Sequence, residues 1–331
     1  MIVLGIETSC DDTSAGVWGG NSLLSNVIST QWVHRNFGGV VPELASRSHI
    51  RLIVPVIEQA LYEAGCGKKD IQGIAVTYGP GLAGSLLVGL STAKGLSLAL
   101  NVPFVGINHL EGHIWANVLS HPSLEPPFVA LIASGGHTQL VLVQAWGKYR
   151  ILGRTRDDAA GEAFDKVGKL LQVGFPGGPA IEKLAQSGNP KAVRFPRAFL
   201  EEGSLDFSFS GIKTAVLNHV QAIGFENALE QLSNIAAAFQ EAVIDVLVQK
   251  TVLAGKKTNV RRICLAGGVT VNRALQARMQ QTGADHGMDV FFPTPALCTD
   301  NGGMIARAGV FYLEQGRFSD PTLAPNPSLN F

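Results

Sequence analysis

The sequence predicts an α/β protein of two lobes, each built on the same order of elements. Three observations predict it. The 331 residues exceed one typical domain, so two separate cores are expected. Hydrophobic residues make up 46% and aromatics only 7%, so those cores are to be built from Val, Ile, Leu and Ala. One order of strands and helices, β-β-β-α-β-α-β-α, then recurs along the chain.

The first copy opens on an apolar strand, Ile2 to Ile6, a polar turn, Glu7 to Asp12, a second strand, Thr13 to Trp18, and a third, Leu23 to Ser29. Pro42 to Ala64 has helical periodicity, with Leu44, Ile50, Ile53, Val54, Ile57 and Leu61 on one side. A buried strand, Ile71 to Thr77, a helix, Gly84 to Leu100, a strand, Pro103 to Ile107, and a helix, Leu110 to Leu119, complete it. The second copy runs through strands at Phe128 to Ala133, Thr138 to Val143 and Tyr149 to Thr155. It resumes with a strand at Arg262 to Ala266, a helix at Asn272 to Gln281, a strand at Val290 to Phe292 and a last helix at Asn301 to Glu314. Between about Gly161 and Lys257 it carries a helical insertion. The tail from Pro321 is too rich in proline for helix.

A duplicated unit of this order is similar to the plan of the actin, sugar-kinase and heat-shock ATPase superfamily, in which two lobes hold a nucleotide between them. On that plan residues 1–108 form the first lobe, completed by the C-terminal helix in 301–331. Residues 109–300 form the second, with the insertion at 161–257.

Composition narrows the function. Twenty-six basic and 26 acidic residues give zero net charge, which argues against a protein that grips nucleic acid unaided. Four scattered cysteines, Cys10, Cys66, Cys264 and Cys298, form neither a zinc-finger pattern nor a disulfide framework, and a reducing cytosol fits them. The N-terminus lacks a basic region and turns acidic within ten residues, unlike a signal peptide. The most apolar stretch, Gly84 to Leu100, is broken by Ser91, Thr92 and Lys94, so no membrane span and no membrane partner are expected.

Three glycine-rich turns are candidate ligand loops. Gly5 to Thr13 is a hairpin turn whose hydroxyls and N–H groups suit a phosphate and whose acidic residues suit a bridging metal. Ser134-Gly135-Gly136-His137-Thr138 occupies the matching place in the second copy. Ala266-Gly267-Gly268-Val269 leads from a strand to a helix near Asn272. Gly16, Gly19 and Gly20 point to mobility beside the first loop.

His109-Leu110-Glu111-Gly112-His113 puts two imidazoles one helical turn apart, able to chelate one metal. Two solvated or core histidines would explain a bare pair as well. Glu111 is misplaced for the zinc-protease HExxH pattern. Asp300 is a candidate third ligand, although service as a helix N-cap would also account for it. In the insertion Asp165 suits ribose hydroxyls, or a plain helical pair with Lys169. Gly177 and Gly178 leave room for a flat base. Asp206-Phe207-Ser208-Phe209-Ser210-Gly211 has no chemical assignment from composition.

Together these stretches resemble one family. They are GIETSCDDTSAG from Gly5, GGVVPELASRSH from Gly38, the run from Lys94 through His113, SGGHTQL from Ser134, GEAFDKVGKLL from Gly161, DFSFSGIKT from Asp206, AGGVTVNRAL from Ala266 and CTDNGGMIA from Cys298. Over Ile2 to about Gly309 they are similar to TsaD and its archaeal and eukaryotic relatives.

The resemblance implies an actin-like fold and transfer of a threonylcarbamoyl group from threonylcarbamoyl-AMP to N6 of the adenosine 3′ to the anticodon, position 37, in tRNAs reading ANN codons. It implies one divalent metal on His109, His113 and Asp300, iron or zinc, with Mg2+ as the ion that would accompany a nucleotide. It implies adenylate contacts at Ile132, Ala133, Ser134, Gly135, Gly136, Asp165, Gly178, Glu182 and Asn272; some relatives carry Asp at the place of Glu182. Asp11 and Asp12 lie in the loop where an acidic residue assists catalysis, with Asp11 slightly ahead. Implied partners are tRNA, a TsaB-like paralogue and a TsaE-like ATPase, in the cytoplasm. Arg47, Arg51, Arg194, Arg197 and Lys213 are candidate tRNA contacts.

Three rivals remain. A metallopeptidase lacks its HExxH, a non-catalytic scaffold would be expected to lack the metal set, and a sugar kinase or ATPase of this fold would lack the histidine pair.

Overall fold

The computed structural model describes residues 1–198 and 201–331. The chain divides into two compact units, Met1–Ser123 with Pro293–Phe331, and Leu124–Phe292.

The first unit begins with β1 (Val3–Glu7), β2 (Asp12–Gly19) and β3 (Ser22–Thr30), an antiparallel meander in which Val3 pairs with Trp18 and Glu7 with Ser14. It continues through α1 (Pro42–Glu63), β4 (Gly73–Gly79), α2 (Ala83–Leu100), β5 (Phe104–Asn108) and α3 (His109–Ser120). β4 lies parallel to β1, and β5 parallel to β4, giving a sheet of order β3-β2-β1-β4-β5. The β1 side chains are buried throughout, so the central strand reads as an uninterrupted apolar run until Glu7.

The second unit repeats the order. β6 (Phe128–Ala133), β7 (Thr138–Ala145) and β8 (Lys148–Arg154) form the meander. Among the described residues five helices follow: α4 (Ala160–Leu170), α5 (Gly177–Ala185), α6 (Ser210–Ile223), α7 (Phe225–Glu230) and α8 (Leu232–Thr258). They fill the place that α1 alone holds in the first unit. Then come β9 (Arg262–Ala266), α9 (Arg273–Asp285) and β10 (Asp289–Phe291), in a sheet of order β10-β9-β6-β7-β8. The chain returns to the first unit with α10 (Pro295–Cys298) and α11 (Gly302–Glu314).

The boundaries differ from the sequence expectation of 1–108 with 301–331. α3 belongs to the first unit, as does the segment from Pro293. Packing is the reason. Every residue of α3 from His109 to Val118 is buried. Its Gly112 lies against α11 so closely that a Cβ there would collide with Ile305.

The apolar face expected of α1 is also different. Ile50 is 64% exposed and Val54 54%, while Ala45, His49, Ile53, Val56, Ile57, Ala60 and Leu61 are buried. The alanines let the helix sit close on its sheet, and two branched residues are left outward. α2 has the length and composition of a membrane-crossing helix, yet Ser85, Leu86, Gly89, Leu90 and Ala93 are buried within its unit. Its outward residues include Leu87 and Leu98. Gly16 permits a close approach, since a Cβ on it would meet the backbone of Gly302 and Gly303.

Candidate functional site

The first unit gathers the titratable groups. β5 ends at Asn108, whose side chain accepts from Leu110 N at 2.9 Å and so starts α3 at once. His109 thus opens α3 and His113 follows one turn later, with their rings edge to face at 4.6 Å. Asp300 arrives from the segment before α11. His113 Nε2 lies 3.1 Å from Asp300 Oδ1, and His109 Nε2 3.5 Å from the same oxygen. The N-cap role that competed for Asp300 belongs to its neighbour: Asn301 Oδ1 accepts from Met304 N at 2.9 Å. The approach is fixed further by Ser14 Oγ and Asn26 Oδ1, which accept from Gly302 N and Gly303 N at 2.7 and 3.0 Å.

His109, His113 and Asp300 place one donor atom each within 4.8 Å of one another. His113 is fully buried, and neither ring nitrogen makes a hydrogen bond of good geometry. A buried imidazole left in that condition is costly unless something else satisfies it. Two imidazoles and a carboxylate are the donors that divalent iron or zinc accepts. The residues therefore fit the metal.

Burial opposes protonation of His109, but the carboxylates of Asp300 and Glu7 outweigh it and push the imidazole up to about 9. Glu7 is wholly buried at the end of β1. Burial raises its carboxyl, and His109 beside it, with Thr77, brings it below the usual value.

Asp11 lies on the β1–β2 loop and Asp12 is the first residue of β2. The loop's shape is held by main-chain bonds, Leu82 N to Ser9 O at 2.8 Å and Gln31 N to Asp11 O at 3.1 Å. His49 of α1 holds it too, with Nε2 2.9 Å from Cys10 O and Nδ1 2.8 Å from Thr13 Oγ1. Asp12 is pushed from the ordinary 3.8 up to about 7, first by burial and then by the charge of Asp300. The acidic loop and the metal donors are one electrostatic neighbourhood. Glu111, which a peptidase reading would need as a base, is tied elsewhere: its Oε1 accepts from Tyr312 OH at 2.6 Å and Trp115 Nε1 at 3.3 Å.

The second unit gathers the residues expected at the adenylate. Ile132 and Ala133 end β6 fully buried. Ser134 to His137 is a tight turn closed by Ser134 N to His137 O at 2.8 Å, with Gly135 and Gly136 exposed. Gly161 N donates to Ser134 O at 3.1 Å and brings α4 against that turn. Asp165 Oδ1 accepts from Gly177 N at 2.7 Å, which joins α4 to the start of α5. Gly178 has open space where a side chain would stand. Glu182 Oε1 accepts from Arg273 N at 2.7 Å. Asn272 caps α9 through Leu275 N at 3.0 Å and donates to Gln240 at 2.7 Å. Gly267, with φ of 91°, passes beside the Ala133 carbonyl. A chain of contacts therefore links all nine residues and surrounds them with the N-termini of α4, α5 and α9.

Two features were not visible in the sequence. Glu7 stands behind His109. The Phe-Ser-Phe-Ser run folds onto Asp157, which accepts from Ser208 Oγ, Phe209 N and Ser210 Oγ at 2.5, 2.8 and 2.8 Å and so begins α6. Burial raises the Asp157 carboxyl, and these bonds bring it below its usual value. Among the tRNA candidates, Arg47 pairs with Glu43 at 2.6 Å, Arg51 and Arg194 are exposed, and Lys213 is half-buried on α6. Arg197 is committed to Asp245, through two nitrogens at 2.9 and 3.0 Å.

The family model for TsaD, tRNA N6-adenosine threonylcarbamoyltransferase, matches residues 22–307. The protein of that name from Desulfitobacterium hafniense (strain Y51) is 53% identical over 325 residues, covering 98% of this chain and 94% of its own. That from Clostridioides difficile (strain 630) is 51% identical over 331 residues, covering 99% and 98%. Among solved structures, full-length HypF in its phosphate- and nucleotide-bound form superposes with a TM-score of 0.65 at 15% identity, over 96% of this chain. The chain spans 47% of HypF's length, and the likeness establishes the fold alone, the duplicated actin-like one. The chain belongs to the TsaD family of tRNA N6-adenosine threonylcarbamoyltransferases.

Proposed function

We propose that the chain moves the threonylcarbamoyl group of threonylcarbamoyl-AMP onto N6 of the adenosine at position 37, 3′ to the anticodon, in tRNAs reading ANN codons. The observation that carries this reading is the intact His109–His113–Asp300 donor set beside the acidic loop, in a chain matched end to end by members of the family. In the reaction the bond between the carbamoyl carbon and the phosphate oxygen breaks, a bond from that carbon to N6 forms, N6 loses a proton and AMP leaves.

The donor is already activated, so the residues need to position, polarise and move one proton. Asp12, pushed up to about 7, is matched to taking the N6 proton near neutral pH. The sequence reading favoured Asp11 slightly; burial favours Asp12. The exposed glycines Gly135 and Gly136 and the N-termini of α5 and α9 favour the negative charge of the leaving phosphate. Asp165 suits the ribose, and Gly178 the base. Bound by His109, His113 and Asp300, a divalent iron or zinc ion supplies Lewis acidity and a template. Adenine N6 is a weak nucleophile, so orientation is expected to supply much of the rate.

Arg51, Arg194 and Lys213 are better placed than Arg197 to meet RNA, because Arg197 already holds Asp245. A near-neutral chain would share the tRNA with partners, a TsaB-like paralogue and a TsaE-like ATPase. The outward apolar residues Ile50, Val54 and Leu98 are the kind of surface a protein partner covers.

The test is transfer itself. Purified chain, synthetic threonylcarbamoyl-AMP and unmodified tRNA are mixed with and without the two partners, and the nucleosides are read by mass spectrometry. Threonylcarbamoyladenosine should appear only when the chain is present. His113→Ala should abolish it, by at least about 100-fold, without lowering the thermal unfolding temperature. Full activity in that variant would remove the metal from the reading.

A further inference from the structure

Glu7 is neither in the donor set nor on the acidic face of the loop. It is fully buried, and its two oxygens meet three groups. Oε1 accepts from Ser9 N at 2.5 Å. Oε2 accepts from Thr77 Oγ1 at 2.6 Å and lies 3.0 Å from His109 Nδ1. Ser9 Oγ is 3.1 Å from that same ring nitrogen, but a hydroxyl can donate or accept and so does not decide which way the hydrogen lies. An ionised carboxylate only accepts. Nδ1 of His109 must therefore carry a hydrogen. In the neutral ring that leaves the lone pair on Nε2, the nitrogen turned toward Asp300.

We propose that Glu7 is the positioning residue of the metal centre: it holds His109 as the Nδ1–H tautomer and so keeps Nε2 as the atom offered to the metal. This rests on the reading of His109, His113 and Asp300 as a metal site. A carboxylate behind a ligating imidazole fixes the ring's rotation and raises its basicity. Glu7 can do this because β1 carries it to the floor of the site, where Thr77 of β4 and the Ser9 amide hold its own rotamer.

The proposal makes an unusual prediction for Glu7→Gln, a change of nearly equal size. Glutamine has one acceptor oxygen. Ser9 N–H, a fixed backbone donor, claims it, and the amide NH2 then faces Thr77 and His109. The threonine hydroxyl can rotate to accept. His109 can accept only through Nδ1, which moves its hydrogen to Nε2 and removes the ligand atom.

The experiment uses the full chain labelled with 15N-histidine. In the zinc-loaded wild type, long-range proton–nitrogen spectra should show His109 with a hydrogen-bearing Nδ1 and a zinc-bound Nε2. In metal-free Glu7→Gln at alkaline pH the hydrogen should sit on Nε2. Competition with a chromophoric chelator should show zinc bound about 10–100-fold more weakly than by wild type. Zinc on Nδ1 in the wild-type spectrum overturns the proposal and needs no variant to fold. Wild-type zinc affinity in Glu7→Gln, with affinity lost in His113→Ala, overturns it while leaving the metal site standing. Unchanged affinity in His113→Ala overturns both.

Discussion

Asp12 sits where burial and the charge of Asp300 both oppose its ionisation. A carboxyl whose folded value lies above its unfolded one binds more protons when folded. Stability therefore falls as pH rises from about 3.8 to about 7 and is level above that. Asp12→Asn removes this loss. In the metal-free chain the variant should be more stable than wild type by roughly 1–3 kcal/mol at pH 8, with the difference gone below about pH 4. Urea unfolding at the two pH values checks it, and an equal difference at both would refute the electrostatic cause. At this scale the sequence was legible wherever chemistry is local. Two histidines one helical turn apart announce a shared face, and the structure puts them on one. Glu7 was not legible, because its partners Thr77 and His109 are distant in sequence and meet it only through the sheet. The division of labour between Asp300 and Asn301 was equally hidden, since either side chain can cap a helix.

The element on which the metal donors depend is α11. Gly302 and Gly303 press its first turn against β2, where Gly16 leaves room for their backbone. Gly16→Ala would push a methyl group into that contact. We expect a loss of about 1–3 kcal/mol in stability, accompanied by weaker zinc binding because Asp300 is displaced. Thermal unfolding and a zinc titration measure the two effects, and a normal zinc affinity would detach α11's seating from the site. Strand periods were readable because a buried central strand is an apolar run; β6 and β9 lie where the sequence put them. The burial of α1 was less readable. Its apolar residues occupy more than one stripe, and the close-packing positions went to alanines, which carry little hydrophobic signal.

At the level of the whole chain, the duplicated element order was visible, but the line between the units was not. α3 could be counted with either neighbour until its packing on α11 was known. Each unit has its own five-stranded sheet, and only the second is continuous in sequence. A polypeptide of residues 124–292 should therefore unfold cooperatively by itself. One of residues 1–123 should not, since it lacks α11, which covers β1 and β2. Circular dichroism melting of the two fragments is the check, and a cooperative melt of 1–123 would contradict the dependence on α11.

That discontinuity has a consequence during synthesis. His113 leaves the ribosome long before Asp300, about 10–40 s earlier at roughly 5–20 residues per second. Throughout that interval the nascent chain holds two imidazoles of the set without the carboxylate that completes it. A truncated product ending anywhere in the second unit would lack one of the three donors that could hold an ion. A metal held by His109, His113 and Asp300 would thus be captured only once the chain has been made through both units.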